Sequence, residues 1–404
     1  MNTEILFGKR ILISTFFPEG GGGLRWMSQF VIDALKRQGC EIKVAHYQPY
    51  SVESGLSVPL QKILTRKVGH TTRELLNTEF HKIGAFLPEL EFTHYHLNRY
   101  WRELIDWADY CVTVCGNALM ALPFYQTKIK FLAWVASTYD ADRMHRVAMY
   151  PFVRRCVDTL LIKPVSSRLE RKILKLGRIL PLSAYTKGEL SLLDNKIKDS
   201  DILPAPINQQ QFYPDAFKTK PWRISFVGRF DDPRKNIPLL LETTAEIAKH
   251  HPQIELVLVG AKLSDELQQK IKTLNIENQV VCHSFLELSE LTTLLRSVDV
   301  FVVPSLQEGL CIAALEAMAS GAPVVSTRCG GVESFIEEGI NGCLVNFSAR
   351  NMADAIQKIC EDRIKREAMA KAAFQTVNSR FSISYAEGIL VKNLIALSKE
   401  LGNS

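Results

Sequence analysis

The sequence predicts an α/β protein built from two doubly wound, parallel-sheet domains that face each other across a central cleft. Its 404 residues are too many for one ordinary domain. Strand-like and helix-like segments alternate at short intervals in both halves of the chain. A proline-rich, extended stretch at residues 202–207 is typical of an interdomain linker. We therefore predict an N-terminal domain over residues 1–205 and a C-terminal domain over residues 206–384.

The N-terminal domain opens with the pattern of a doubly wound sheet. Predicted strands at residues 10–15 and 41–47 flank an amphipathic helix at about 24–38, and a run of glycines precedes that helix. The dinucleotide-binding fingerprint is missing, because no acidic residue closes the second strand. The glycines either allow a phosphate or a sugar to approach the backbone or form a flexible turn. On the first interpretation the binding residues are Gly21, Gly22 and Gly23.

Further along this half, residues 57–105 are polar and predict helix, with histidines whose spacing does not suit a metal site. Buried strands are predicted at 109–114 and 129–136. Thr138 and Asp140 follow the second of these strands, at the sheet edge where such folds bind ligands. Asp140 is equally consistent with a helix cap.

Charge is unevenly distributed along the chain. Residues 1–200 carry 28 Lys and Arg against 19 Asp and Glu, whereas the net charge of the whole chain is +6. This imbalance indicates an anionic partner such as a phospholipid surface or a phosphorylated carrier. Residues 146–178 form a basic amphipathic pattern that either lies on an anionic membrane or is a solvated helix face. Nucleic acid is not an expected partner, because no basic and aromatic recognition motif is present.

The composition indicates a globular protein of the cytoplasm, with peripheral contact at the inner face of the membrane if the basic helix binds lipid. No apolar run approaches the roughly 20 residues of a membrane helix, and Lys9 and Arg10 lead directly into a short strand rather than a signal peptide. The nine cysteines are scattered, odd in number and without metal-ligand context. We therefore expect buried free thiols and no metal site.

In the C-terminal half, a strand at 222–230 is followed by a loop and then by a helix at 237–250. Arg229 and Lys235 flank that loop, so both cations are placed to reach a diphosphate. Further strands are predicted at 255–260 and 280–285.

Residues 300–325 predict a strand, a loop, a helix over 311–320 and a further strand. Glu308 precedes the helix and Glu316 lies inside it, about 10 Å further along the axis if the helix begins near Leu310. This separation suits the two ends of one extended ligand, and the helix N-terminus between them suits a phosphate. The candidate ligand-binding residues of this loop are Gly309, Leu310, Cys311 and Ile312.

These motifs together resemble one enzyme family, the retaining GT-B glycosyltransferases of family four, also called group 1 glycosyl transferases. The resemblance covers most of residues 180–350, with each motif in the expected order. It is carried by Leu182-Ser183, Pro206-Ile207, Gly228-Arg229-Phe230, Lys235-Asn236, Pro304-Ser305, Glu308-Gly309-Leu310, Leu315-Glu316-Ala317-Met318-Ala319, Gly330-Gly331-Val332-Glu333 and Asn341-Gly342-Cys343-Leu344-Val345.

The resemblance implies a binding site for a nucleotide diphosphate sugar, the sugar donor. Glu308 would contact hydroxyls of the donor sugar, and Glu316 would bind the ribose diol. Arg229 and Lys235 would hold the diphosphate and stabilise the leaving group, so that neither a metal nor a cofactor is required. The base would lie near the strand that ends before Ser284. A C-terminal helix at about 385–404 would pack back on the first domain.

The resemblance therefore implies a metal-independent, hexosyltransferase-type enzyme that transfers a sugar with retention to a glycan, lipid-linked or small-molecule acceptor. Many members carry a histidine where this chain has Ala136-Ser137-Thr138, so Thr138 and Asp140 remain the candidates on the acceptor side. Two alternatives share the architecture: a nucleotide-sugar epimerase and a catalytically silent nucleotide-sugar sensor. The presence of Arg229, Lys235, Glu308 and Glu316 together favours the enzyme.

Overall fold

A computed structural model describes residues 5–16, 23–75, 77–147, 150–215, 222–260 and 262–402 of the chain. The chain forms two compact units. The first contains residues 1–204 together with 386–404, and the second contains residues 205–385. Each unit is built on its own β-sheet. The predicted α/β class, with a parallel-sheet domain in each half of the chain, is confirmed.

The first unit contains a seven-stranded sheet in the order β3-β4-β2-β1-β5-β6-β7. All neighbouring strands in this sheet are parallel except β3 and β4, which are antiparallel. The central strands are apolar and buried because helices cover both faces, as parallel sheets require. The strands are β1 (Arg10–Thr15), β2 (Glu41–Tyr47), β3 (His70–Leu75), β4 (Thr78–Ile83), β5 (Tyr110–Cys115), β6 (Leu132–Val135) and β7 (Arg178–Pro181).

The prediction of helix over residues 57–105 is wrong. This region contains the antiparallel pair β3 and β4 instead, and an α-helix begins at Arg99. β3 is an edge strand with mostly exposed side chains, so it lacks the apolar alternation that marks a half-buried strand. Pairing with β4, whose Phe80 and Ile83 are buried, decides its conformation.

The helices of the first unit connect and cover these strands. α5 and α6 are joined by a π-helical turn, Asp158–Ile162, into one continuous helical segment. The last helix is tied to this unit by ion pairs from Glu387 to Arg37 at 2.7 Å and from Glu400 to Arg178 at 2.9 Å. The helices are α1 (Gly23–Arg37), α2 (Arg99–Trp107), α3 (Leu122–Gln126), α4 (Tyr139–Val147), α5 (Phe152–Val157), α6 (Lys163–Leu176), α7 (Ala184–Ser191) and, at the end of the chain, α14 (Ile383–Gly402).

The second unit contains a six-stranded, wholly parallel sheet in the order β10-β9-β8-β11-β12-β13. Its strands are β8 (Arg223–Val227), β9 (Glu255–Val259), β10 (Val280–His283), β11 (Val300–Val303), β12 (Val324–Thr327) and β13 (Gly342–Val345). Its helices are α8 (Ile237–Ala248), α9 (Asp265–Thr273), α10 (Leu288–Ser297), α11 (Ile312–Ala319), α12 (Ala349–Glu361) and α13 (Arg363–Arg380).

The strand order of the second sheet reverses between β8 and β11. From β8 the chain adds β9 and β10 on one side, and then crosses back to add β11, β12 and β13 on the other. The loops after β8 and β11 therefore leave the sheet in opposite directions and open a crevice at its carboxyl edge. Open α/β sheets bind their ligands at such a point.

No helix in the described ranges combines the length and apolar character needed to cross a membrane.

Candidate functional site

The crevice between β8 and β11 contains a buried ion pair. Lys235, in the loop after β8, donates a hydrogen bond to Oε1 of Glu308, in the loop after β11, with an Nζ–Oε1 distance of 2.7 Å. The Ser305 hydroxyl donates to the same oxygen at 2.7 Å. Two predicted site residues from different loops therefore meet at the switch point. The second oxygen of Glu308 takes part in neither of these bonds, so it is placed to accept hydrogen bonds from a ligand.

The charge on Lys235 is maintained by its partner. Burial lowers the pKa of the ammonium, but the adjacent Glu308 carboxylate outweighs this effect, so that the pKa is raised above its usual range. An ammonium has three donors, and the bond to Glu308 uses one of them. Lys235 is thus a permanent cation with donors remaining for a phosphate.

Backbone contacts fix the position of Glu308. Its N–H donates to the Cys329 carbonyl at 2.7 Å, and its carbonyl accepts from the Gly331 N–H at 2.8 Å. A Cβ atom on Gly331 would lie 2.2 Å from the Gly309 carbonyl oxygen, so only glycine allows the two loops to approach this closely. The Gly330-Gly331 motif therefore acts on the site through the backbone of the loop that carries Glu308.

Arg229 lies at the same edge but is held less tightly. Its side chain is 67% exposed, and it pairs with Asp232 at 3.1 Å. Asp232 also pairs with Arg234 at 2.7 Å. Burial alone would raise the pKa of Asp232, but the hydrogen bond and charge of Arg234 lower it to about 2. The sequence analysis gave no role to Asp232, and it named Ser305 only as part of the Pro304-Ser305 motif, although both residues belong to the loops that carry the predicted site residues.

The helix after Glu308 starts later than predicted. α11 begins at Ile312, and Cys311 is its N-cap with φ 69° and ψ 75°, in the left-handed region. A side chain in this region costs roughly 1–2 kcal/mol. Within the described part of the chain, the N–H groups of Ile312 and Ala313 have no hydrogen-bond acceptor. They are available to an anion at the positive end of the helix dipole.

Glu316 lies one turn inside α11, and its environment differs from that of Glu308. It is half-buried, and burial raises the pKa of its carboxyl to about 7. The predicted separation of about 10 Å assumed a helix from Leu310, whereas residues 308–311 precede α11, so helical rise alone does not set the distance between the two carboxylates. Leu310 is buried, and Gly309 lies in the loop between the two carboxylates.

Ser284 directly follows β10, the edge strand on the far side of β9, and is exposed. The ends of β8, β9 and β10 are drawn together by backbone bonds from Gly228 to Val259 at 2.9 Å and from Gly260 to His283 at 3.0 Å. Ser284 thus lies at the same carboxyl edge as Lys235, although no contact joins it to the ion pair.

The candidates of the first unit are placed separately. Gly21 and Gly22 lie outside the described residues, and Gly23 is the first residue of α1. Thr138 is buried and caps α4, because its Oγ1 accepts from the Ala141 N–H at 3.2 Å. Asp140 lies in the first turn of α4, where it accepts from the Ser167 hydroxyl at 3.3 Å and lies 3.7 Å from Lys163. The cap is therefore Thr138, and Asp140 is an exposed helical carboxylate.

A buried carboxylate beside these residues was missed from the sequence. Both oxygens of Glu170, in α6, accept from the Tyr139 N–H, at 2.9 and 3.1 Å. Burial raises the pKa of Glu170 to about 8, although this backbone bond opposes the shift. Glu170 thus satisfies the N-terminus of α4. In the sequence, Glu170 stands between Leu169 and Arg171 in a basic helix. This pattern is typical of an exposed helix face, so it did not indicate a buried carboxylate.

All nine cysteines are free thiols. The expectation that they are buried holds for five of them, whereas Cys282 is exposed and Cys156, Cys311 and Cys343 are intermediate. In the described ranges, no group of three or more His, Cys, Asp or Glu side chains is arranged to hold a metal ion.

Residues 208–376 match the sequence model of the family described as Glycosyl transferases group 1. The chain is similar to this family over that range. Over 168 residues the chain is 33% identical to a D-inositol 3-phosphate glycosyltransferase of Corynebacterium kroppenstedtii, and the alignment covers 39% of this chain and 37% of the relative. It is 32% identical over 161 residues to an uncharacterized glycosyltransferase of Methanocaldococcus jannaschii, covering 39% of this chain and 41% of that protein. The chain thus matches less than half of these relatives' length.

Solved structures resemble the chain over nearly its whole length. Sucrose-phosphate synthase from Thermosynechococcus elongatus superposes with a TM-score of 0.72 and 20% identity, covering 96% of this chain and 99% of that one. Anabaena HepE, solved with UDP and glucose, gives a TM-score of 0.69 at 15% identity, covering 96% of this chain and 100% of that one. These likenesses show the GT-B fold, which confirms the predicted architecture of two Rossmann-like domains.

Proposed function

We propose that this protein is a glycosyltransferase that moves a sugar from a nucleotide diphosphate sugar to a hydroxyl acceptor. The observation that carries the proposal is the Lys235–Glu308 ion pair at the switch point of the second sheet, beside the free N-terminus of α11. A fixed cation and exposed helix amides suit a diphosphate, and an adjacent carboxylate suits the hydroxyls of a sugar. Both requirements belong to one ligand, a nucleotide sugar.

In this proposal the donor lies along the loop from Glu308 to α11. Glu308 accepts hydrogen bonds from the sugar hydroxyls, while Lys235, Arg229 and the amides of Ile312 and Ala313 receive the diphosphate. Glu316 accepts from the ribose diol, and Ser284 lies on the side of the base. The charge that develops on the leaving diphosphate is stabilised by cations and helix amides already in place, which is why we propose a metal-independent reaction.

The acceptor side belongs to the first unit in this proposal, with Thr138 and Asp140 as its polar groups, and the sugar is transferred with retention. Relatives named D-inositol 3-phosphate glycosyltransferase, and HepE solved with UDP-glucose, support a nucleotide-sugar donor and a glycan, lipid-linked or small-molecule acceptor. We also propose a cytoplasmic location, because all nine cysteines are free thiols, as is usual in a reducing compartment.

The proposed role of Glu316 predicts a pH dependence of donor affinity. Its pKa of about 7 means that the carboxyl is largely protonated at pH 6 and largely ionised at pH 8. Two ribose hydroxyls donate only to the ionised form, so binding lowers this pKa and releases a proton. We expect the affinity for the nucleotide sugar to rise roughly tenfold from pH 6 to pH 8.

The measurement is calorimetry in EDTA-containing buffer, with the nucleotide sugar that gives the largest thermal shift in a panel that includes UDP-glucose. A nucleotide sugar is suitable because its doubly esterified diphosphate does not titrate in this range. Glu316→Gln should bind more weakly and without the pH dependence. If the wild-type affinity is flat between pH 6 and 8 while binding still occurs, Glu316 does not hold the ribose. If no nucleotide sugar binds, the proposed function is wrong.

A further inference from the structure

The helical segment from α5 to α6 presents an apolar face to solvent. Val153, Val157 and Leu161 are all exposed along this segment, Val153 by 73%. Leu160 is 80% exposed, and Phe152, at the start of α5, is 76% exposed. The opposite side, with Ile162 buried, packs on the unit. Several large apolar side chains that are exposed next to one another indicate an interaction surface.

A second exposed apolar segment adjoins this face. Leu60 and Leu64 are both exposed, Leu64 by 97%. Glu89 connects the two segments, because its carboxylate accepts from the Leu60 N–H at 3.1 Å and its carbonyl accepts from the Arg154 guanidinium at 3.0 Å. The two apolar segments therefore lie next to each other.

Cations accompany both segments. Lys62 and Lys67 follow Leu60, and Arg168, Arg171 and Lys172 lie further along α6; all five are exposed. No ion pair with a carboxylate is found for any of these five among the residues that the structure describes.

The carboxylates of the same region are already engaged. Glu91 and Asp158 pair with Arg143, and Asp140 lies 3.7 Å from Lys163. The surface thus has exposed apolar side chains with lysines and arginines around them. A matching partner has an apolar interior covered by a layer of negative charge.

We propose that this lipid-binding surface, defined by Leu60, Leu64, Phe152, Val153, Leu160 and Leu161, binds the anionic face of a lipid bilayer. The apolar side chains enter the boundary between headgroups and acyl chains, and the surrounding lysines and arginines contact the anionic headgroups. The basic sequence pattern of residues 146–178 was consistent with either a membrane-binding helix or a solvated helix face. The exposed apolar residues favour the membrane-binding helix. The inference does not rest on the proposed sugar transfer.

The test is co-sedimentation of the full chain with vesicles of phosphatidylcholine alone and of phosphatidylcholine with 30 mol% phosphatidylglycerol. We expect binding to the anionic vesicles only, weakening at least tenfold between 0.05 and 0.3 M NaCl because salt screens the contacts. The variant Phe152→Ser/Leu160→Ser should bind at least tenfold more weakly. The matched control is Leu192→Ser/Lys198→Ser, an exposed leucine and lysine of the same unit outside this surface, and it should bind like the wild type.

A second variant, Arg168→Gln/Lys172→Gln, removes two exposed cations and leaves the apolar residues unchanged. It should reduce both the binding and its dependence on salt, so the proposal stays testable if the apolar variant fails to fold. Equal binding to neutral and anionic vesicles, or equal loss in the control, would overturn the proposal. A further result would overturn it. If the wild type is a dimer in gel filtration and does not bind vesicles, and if Phe152→Ser/Leu160→Ser is a monomer, the surface is a contact between two copies of the chain.

Discussion

Replacing Glu308 by glutamine should reduce sugar transfer by about 10²–10³-fold, the range seen when one aligned electrostatic contact is removed from an active site. Glutamine keeps the size of the side chain and an oxygen for the Ser305 hydroxyl, but it removes the negative charge beside Lys235 and the sugar. The assay is release of nucleoside diphosphate from the nucleotide sugar, with the acceptor when one is identified and with water otherwise.

The matched control is Glu266→Gln, an exposed carboxylate on α9 of the same unit, which should keep full activity. Donor affinity, measured by calorimetry, should change much less than the rate, since a contact that strengthens in the transition state acts mainly on kcat. Wild-type turnover in Glu308→Gln would contradict the role assigned to this carboxylate.

Replacing Lys235 by methionine should abolish most of the activity and also lower stability. The substitution leaves the Glu308 carboxylate in the crevice without its cation, and breaking a buried pair costs roughly 3–5 kcal/mol. Because Lys235 is 19% and Glu308 is 10% exposed, we expect the lower end of that range. Thermal unfolding measures the loss of stability, and release of nucleoside diphosphate from the nucleotide sugar measures the loss of activity.

The double variant Lys235→Met/Glu308→Gln separates the structural from the chemical role of the pair. Without the unpaired carboxylate, the melting temperature should recover toward the wild-type value, whereas the activity should remain lost. Recovery of activity together with stability would show that Lys235 serves only to neutralise Glu308, and would remove it from the diphosphate site.

The second unit was the more predictable from sequence, for a physical reason. Its strands are short apolar runs bounded by glycine and proline, and its helices are amphipathic, so local pattern and tertiary structure agree. Arg229 and Lys235 were identified because they flank a strand-to-helix loop, and Glu308 and Glu316 because they lie before and inside one helix; their roles came from the family resemblance.

Features that depend on contacts between separate segments of the chain could not be predicted from the sequence. β3 is a strand because β4 pairs with it, and its exposed polar residues carry no such signal. Ser305 binds Glu308 only because the Thr327 hydroxyl and the Gly330-Gly331 backbone fix the shape of the loop. In the sequence Glu170 is one charge among many in a basic helix, and only the structure shows that α4 begins against it. In each case a contact with another segment of the chain decides the conformation.

The most direct test of the proposed donor site is a comparison of two ligands by calorimetry at pH 8. A nucleoside diphosphate and its 2′,3′-dideoxy analogue differ only in the ribose hydroxyls, and Glu316→Ala removes the carboxylate proposed to bind them. The proposal predicts that the analogue binds the wild type at least tenfold more weakly, as expected when a buried polar group loses its partner. It also predicts that Glu316→Ala binds both ligands alike. Equal affinities of the wild type for the two ligands would contradict it.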